Sequence, residues 1–273
     1  MVDHFKIARP LEFYEKFIQQ EVRPDGRELG EFRSTVCNLS CITTANGSAL
    51  IKIGNTTIIC GIKAELASPA SEEPCKGFII PNLELSPMCS SRFRSGPPGE
   101  QAQVASQFLA DVIKNSKCVD LETLCVESGK LVWVLHCDLI CLDYDGNITD
   151  ASILALIAAL QTTKLPKVKL NEDTDKFETF ESDLVSLALL SHPVSTTFSI
   201  LGDQILIVDP TSEEESLSMG TITIVALVDK ICMVYKPGGN PIASEQLPTL
   251  FERAIERGKE VRSLVDKTFS SAS

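Results

Sequence analysis

The chain has 273 residues, of which 44% are hydrophobic and 23% charged, with 15 Gly and 14 Pro. That balance belongs to a globular protein with one large core or two lobes, and it excludes a disordered, collagen-like or repeat-only chain. The net charge of −12 disfavours a free-standing nucleic-acid binder, because phosphates are repelled on average, but it leaves room for a local basic site. The longest predominantly apolar run, Ala151 to Leu160, is far short of the roughly 20 residues that span a bilayer. Met1 to Pro10 carries charge where a secretory signal has an apolar stretch. The expectation is a soluble intracellular protein with no membrane contact.

In chain order, Leu11, Tyr14, Phe17, Ile18 and Val22 recur near helical spacing, which predicts an amphipathic helix over Pro10 to Val22 ending at the turn Pro24-Asp25-Gly26. Thr35 to Thr44, Ala49 to Ile53 and Thr57 to Glu65 are rich in β-branched residues and separated by Asn-Gly and Gly-Asn turns, the pattern of an antiparallel meander. A strand over Phe78 to Leu85 and a helix over Gly99 to Asn115 follow. Leu131 to Leu142 reads as a strand buried on both faces, and Asp150 to Leu160 as a buried helix behind the polar turn Asp143 to Thr149. Lys164 to Leu190 mixes Pro, charge and polar residues, and its acidic part, Asn171 to Asp183, reads as a solvated linker. Strands resume at Val194 to Ile200, Gln204 to Val208, Thr221 to Leu227 and Lys230 to Tyr235, before a final helix over Ser244 to Asp266. The sum is a mixed α/β (α+β) fold in two lobes, residues 1–164 and 165–273, forming one compact unit.

Of the ten cysteines, Cys37, Cys41, Cys60, Cys137, Cys141 and Cys232 stand in apolar, strand-like runs and read as small, reduced core residues. The C-x3-C pairs lack a His at zinc-site spacing, so no metal is expected. Three histidines, without a G-x-S-x-G or Cys-His signature, argue against nucleophilic catalysis, and no phosphate-cradling glycine motif is present. No cofactor is implied.

Two segments carry chemistry. Arg92 and Arg94 flank Phe93 on a Ser/Gly/Pro loop, a set suited to holding phosphate oxygens and stacking a base. The other reading of that loop is arginines paired with the protein's own carboxylates. Asp209 to Glu215 follows a strand end and reads either as carboxylates that hold Mg²⁺ or as a solvated acidic turn.

Arg23-Pro24-Asp25-Gly26-Arg27, Gly47-Ser48-Ala49 through Gly54-Asn55-Thr56-Thr57, the Arg92 loop leading into Gln101 to Asp111, Asp143-Tyr144-Asp145-Gly146-Asn147 and Val208-Asp209-Pro210-Thr211 together resemble the RNase PH family over residues 20 to 235. Within it the chain is most similar to the non-catalytic ring subunits of the eukaryotic RNA exosome. The resemblance implies an RNase PH-like fold, pairing with other RNase PH-like ring subunits and with cap subunits, contact with RNA, delivery to an associated hydrolytic nuclease, and residence in nucleus, nucleolus and cytoplasm. Active members are phosphorolytic exoribonucleases that bind phosphate through an arginine after the central strand and use a spaced pair of aspartates near a divalent metal. Carried onto this sequence, Thr149 stands at the arginine with Asp150 beside it, Glu215 at the first aspartate and Thr221, or Gly220, at the second. Both the phosphate anchor and the full acidic pair are lost, so the resemblance implies an inactive paralogue, with Arg92 and Arg94 lining the RNA path. The rival readings are an active phosphorolytic exoribonuclease or nucleotidyltransferase of the same fold, and a binding module unrelated to RNA.

Overall fold

The structure, a computed structural model, describes residues 8–171, 176–202 and 205–272. The helix α1 (Pro10–Ile18) buries Phe13, Tyr14 and Ile18 and stops four residues short of the predicted end. Strands β1 (Thr35–Leu39), β2 (Gly47–Ile53) and β3 (Thr56–Ala67) form the expected antiparallel meander, with Cys37 opposite Ile51 and Ala49 opposite Cys60. Next come β4 (Phe78–Glu84), α2 (Glu100–Ser116), β5 (Cys125–Glu127) and β6 (Leu131–Asp143). These strands make one six-stranded sheet in the order β1-β2-β3-β6-β4, with β5 also on β6 and β4 parallel to β6. The helix α3 (Ile148–Thr162) follows, then β7 (Lys164–Asn171), β8 (Lys176–Ser186), β9 (Val194–Leu201), β10 (Ile205–Val208), α4 (Ser212–Leu217), β11 (Gly220–Ala226), β12 (Ile231–Tyr235) and α5 (Leu247–Ala272). The second sheet runs β10-β9-β11-β12.

Three helices lie between the two sheets. α3 touches β2 and β3 on one side and β9 on the other, α2 touches β4 and β12, and α5 bridges β1 to β9 and β11. This position explains the composition of α3: a helix covered on both sides is apolar all round, and Ala151 through Leu160 are all buried. One hydrophobic cluster accordingly runs from Cys37 in β1 through α3 to Val225 in β11 and Val261 and Val265 in α5. Among the described residues no helix is long and apolar enough to cross a membrane.

Several expectations need correction. Lys164 to Leu190 contains a two-stranded antiparallel sheet, β7 against β8, and not a linker alone. Part of its acidic stretch, residues 172–175, lies outside the described residues, as does Gln204, the predicted start of β10. β6 is not uniformly buried on both faces: Leu135, Cys137, Leu139 and Cys141 point into the core while Asp138 is exposed. All ten cysteines are free, but Cys41 is exposed because β1 ends at Leu39, and Cys232 is half-buried. Burial pushes the Cys37 thiol up to about 11 and raises Cys60, Cys137 and Cys141 as well, consistent with inert core residues.

Candidate functional site

The turn from β6 into α3 is built from residues whose backbone few side chains tolerate. Gly146 has φ +76°, and a Cβ there would stand 2.5 Å from the Ser212 nitrogen and the Thr211 carbonyl carbon. Glycine therefore lets two segments meet, 144–147 and 209–212. Asn147 and Asp209, one on each loop, also have positive φ, at 51° and 46°, a conformation that short polar side chains enter most readily. Asn147 Nδ2 joins them, donating to Asp209 Oδ1 at 2.6 Å and to Asp150 Oδ2 at 2.9 Å.

Beneath these loops lies a buried charge network. Arg33 Nε and Nη2 donate to Asp209 Oδ2 and Oδ1 at 2.9 and 2.8 Å. Arg23 Nε donates to Glu214 Oε1 at 2.9 Å, Nη2 donates to Glu214 Oε2, and Nη1 reaches the Val208 carbonyl at 2.8 Å. Glu214 also closes the capping box of α4 with Thr211. Burial alone would raise the Asp209 carboxyl, but the hydrogen bonds and charge of Arg33, with Asn147, outweigh it and hold Asp209 below the usual carboxylate range. Asp209 and Glu214 are thus neither a solvated acidic turn nor free metal ligands, the two readings the sequence allowed. The Tyr14 hydroxyl donates to Glu213 Oε2 at 2.6 Å, which ties α1 to the same segment.

Glu215 takes a different partner. Its carboxylate accepts from the backbone N–H of Asn147 at 2.7 Å through Oε1 and from the Tyr144 hydroxyl at 2.9 Å through Oε2. The Asn147 amide stands at the start of α3, where the helix dipole favours negative charge. Glu215 thereby fills an anion seat with a side chain of the protein itself. Burial raises its pKa, partly offset by the Asn147 amide, the Tyr144 hydroxyl and the nearby charge of Arg92. Asp150, buried beside Asn147, also has a raised pKa from burial, while accepting from Thr197 N and Oγ1, each at 2.9 Å.

Thr149 is half-buried in the first turn of α3. Thr221, also half-buried, lies in β11 opposite Ser199. Among the described residues neither makes a side-chain hydrogen bond, and no group of three or more His, Cys, Asp or Glu could hold a metal ion. The structure therefore brings Asp150 and Glu215 together through Asn147 and leaves Thr149 and Thr221 uncommitted. Arg92 and Arg94 are exposed and, among the described residues, form no ion pair. Phe93 between them is half-buried and packs edge-on against Tyr144, ring centroids 5.2 Å apart and planes at 87°. It anchors the loop and is not free to stack a base. Gln101 Nε2 donates to the Tyr144 hydroxyl at 3.2 Å, extending the chain of contacts from Glu215 to α2.

Sequence reasoning missed Asn147 as the hub and Arg23 and Arg33 as buried cations. The signals available were the arginines flanking Pro24-Asp25-Gly26 and the absence of any apolar residue between Asp143 and Asn147 other than Tyr144.

Comparison with known proteins agrees with this architecture. Models of domains 1 and 2 of the RNase PH, 3′ exoribonuclease, family match residues 31–166 and 191–260. The exosome complex component rrp43 of Schizosaccharomyces pombe is 42% identical over 260 residues, 92% of each chain. The exosome complex component Rrp42 of Methanopyrus kandleri is 36% identical over 244 residues, 89% of this chain and 90% of its own. A solved structure of the Archaeoglobus fulgidus exosome with RNA bound to the active site contains a chain 34% identical, with TM-score 0.83, over 96% of this chain and 98% of that one. The chain belongs to the RNase PH family and has its mixed α/β fold.

Proposed function

We propose that the chain is a non-catalytic, RNase PH-like ring subunit of an RNA exosome, lining the path along which RNA is processed and degraded from its 3′ end. Its length-spanning similarity to exosome components supports the ring role. The observation that carries the loss of catalysis is the Glu215 carboxylate on the Asn147 amide at the start of α3: an anion already occupies the seat beside Thr149, where an active relative needs a cation to hold phosphate. A carboxylate there repels a phosphate substrate, and the neutral Thr221 leaves Glu215 without a second acidic partner. In this role the subunit pairs with other RNase PH-like ring subunits and cap subunits, contacts RNA through Arg92 and Arg94, passes it to an associated hydrolytic nuclease, uses no cofactor or metal of its own, and works in nucleus, nucleolus and cytoplasm, in rRNA processing and mRNA turnover.

The experiment is co-expression with a second RNase PH-like subunit, followed by incubation of the complex with RNA, inorganic phosphate and Mg²⁺. The expected result is no release of nucleoside diphosphates attributable to this chain. Release that is abolished by Glu215→Ala would establish the active phosphorolytic enzyme instead.

A further inference from the structure

The segment 85–99 joins β4 to α2 and carries Arg92 and Arg94, both exposed. Three attachments hold it, and none uses an arginine side chain. Near its start Cys89 is buried in the main core, and the Cys89 carbonyl accepts from the backbone N–H of Tyr144 at 3.2 Å. At its end the Gln103 side chain, in the first turn of α2, donates to the Pro98 carbonyl at 2.8 Å. Between them Phe93 packs against the main core, edge-on to the Tyr144 ring. Local turns complete the arrangement: the backbone N–H of Phe93 donates to the Ser90 carbonyl at 3.2 Å, and that of Arg92 to Ser90 Oγ at 3.3 Å.

Tyr144 is itself held in place. It is buried, and its hydroxyl donates to Glu215 in α4 and accepts from Gln101 in α2. Phe93 therefore rests on a fixed ring, whereas every residue from Arg94 to Gly99 is exposed, and a Cβ at Gly96 or Gly99 would meet nothing within 4 Å. Neighbouring Cα atoms stand about 3.8 Å apart across a trans peptide, so seating Phe93 fixes the backbone of the arginines on either side of it. Their guanidinium groups stay in water. A cation on ordered backbone gives up less conformational freedom when it meets an anion than one on a slack loop.

We propose that Phe93, seated on Tyr144, is a positioning residue for RNA: it holds Arg92 and Arg94 in place to meet phosphates and does not touch RNA itself. The proposal rests on the reading that these two arginines contact RNA. It assigns the aromatic between them to the protein core, where the sequence pattern alone suits it to stacking a base.

The test compares reconstituted rings carrying Phe93→Ala, Phe93→Leu, the Arg92→Glu and Arg94→Glu pair, and that pair combined with Phe93→Ala. Filter binding of a single-stranded RNA oligonucleotide is measured at two salt concentrations, after size-exclusion chromatography has shown that each ring assembles. Phe93→Ala should weaken binding about tenfold, and Phe93→Leu, which keeps apolar bulk but not the edge-on ring contact, about threefold. Neither should change the slope of log affinity against log salt, because no charge is removed. Added to the arginine pair, Phe93→Ala should have little further effect, since it acts only through those arginines. Trypsin should cut after Arg92 and Arg94 several-fold faster in both Phe93 variants than in wild type. Wild-type affinity in both Phe93 variants, with binding still weakened by the arginine pair, would overturn the proposal and leave the RNA-path reading standing. An equal loss from Phe93→Ala with and without the arginines would also overturn it, because Phe93 would then contact RNA directly. No effect of the arginine pair would overturn the RNA-path reading and the proposal with it.

Discussion

Asp209 and Arg33 meet as a bidentate pair, two parallel N–H···O contacts of 2.9 and 2.8 Å between side chains only 1% and 7% exposed. Residues 176 positions apart are thereby joined beside the turn that leads into α3. Removing Asp209 leaves the buried Arg33 with only the partly exposed Asp145 carboxylate, 3.6 Å away, so Asp209→Ala should cost about 3–5 kcal/mol. Arg33→Met combined with Asp209→Leu should cost less than the sum of the single changes, because neither charge is then stranded. Thermal melting of the partner complex carrying each variant checks both statements; additive losses would mean that the pair is not coupled.

The carboxyls around Asn147 titrate in opposing senses. Asp209 has a folded pKa below its unfolded value, so its contribution is present above the unfolded pKa, near 3.9, and is lost as pH falls through the lower folded value. Glu215 and Asp150 have folded pKa values above their unfolded ones, so their contribution is complete below the unfolded pKa and disappears as pH rises through the folded value. Stability should therefore rise as pH falls from 7 into the mildly acid range and then collapse in stronger acid. Glu215→Gln should flatten the rising limb and leave the acid collapse in place. Denaturant midpoints measured across pH on wild type and variant show whether it does.

Gly146→Ala places a methyl group 2.5 Å from backbone atoms of Thr211 and Ser212 at a φ of +76°. Backbone cannot retreat as a flexible side chain would, so the two loops must separate. The expected loss is about 2–4 kcal/mol, from strain and broken contacts together. Gly96→Ala, also at positive φ but with open space around it, should cost about 1 kcal/mol from backbone strain alone. Equal Tm shifts in the two variants would contradict this reading.

Arg92 and Arg94 should carry this subunit's share of RNA contact. Substituting both with Glu should weaken RNA binding by the reconstituted ring with little sequence preference, and should lower the slope of log affinity against log salt by roughly one unit for each phosphate that is no longer neutralised. Ring assembly should be unaffected, since the variant side chains project into solvent. Filter binding at two salt concentrations reads both quantities, and an unchanged slope would remove these arginines from the RNA path.

Association is the remaining expectation. Large apolar side chains stay exposed on the isolated chain, among them Phe78 and Ile80 on the edge strand β4 and Leu184 and Val185 on β8, and exposed apolar edge strands are surfaces on which another chain can pair. Co-expression with an RNase PH-like partner should give a soluble heterodimer, while the lone chain self-associates. A monodisperse monomer that ignores such partners in size-exclusion chromatography would count against the ring assignment.

The parts of the fold that are legible in the sequence are those whose signal is local. Asn46-Gly47 and Gly54-Asn55 announce the β1–β3 meander, and the almost wholly apolar run of α3, broken only by Ser152, announces a buried helix. The β7–β8 hairpin is not legible because its strands carry Pro166, Lys167 and Lys169 and pair partly through exposed contacts such as Lys167 with Asp183, 3.1 Å apart. The site is half legible. Thr149, Asp150, Glu215 and Thr221 can be located by motif, but nothing near Arg23 in the sequence reveals that its partner is Glu214, 191 residues away. Long-range polar partners leave no periodicity to read.

The attachment of residues 13–33 to residues 208–215 has a consequence for how the chain is made. Tyr14, Arg23 and Arg33 find their partners Glu213, Glu214 and Asp209 in a segment synthesised last but for β11, β12 and α5; of the residues made earlier, Arg33 meets Asp145 and Arg23 the Glu31 carbonyl. During translation the buried arginine network therefore stays incomplete until about three-quarters of the polypeptide has left the ribosome, and closure must await a contact of very high sequence separation, which is slow to form. A nascent chain arrested before Asp209 can build the β1–β3 meander but has neither Glu214 for Arg23 nor Asp209 for Arg33, so ribosome-bound intermediates of this protein should be open at the amino terminus and protease-sensitive there until the α4 segment emerges.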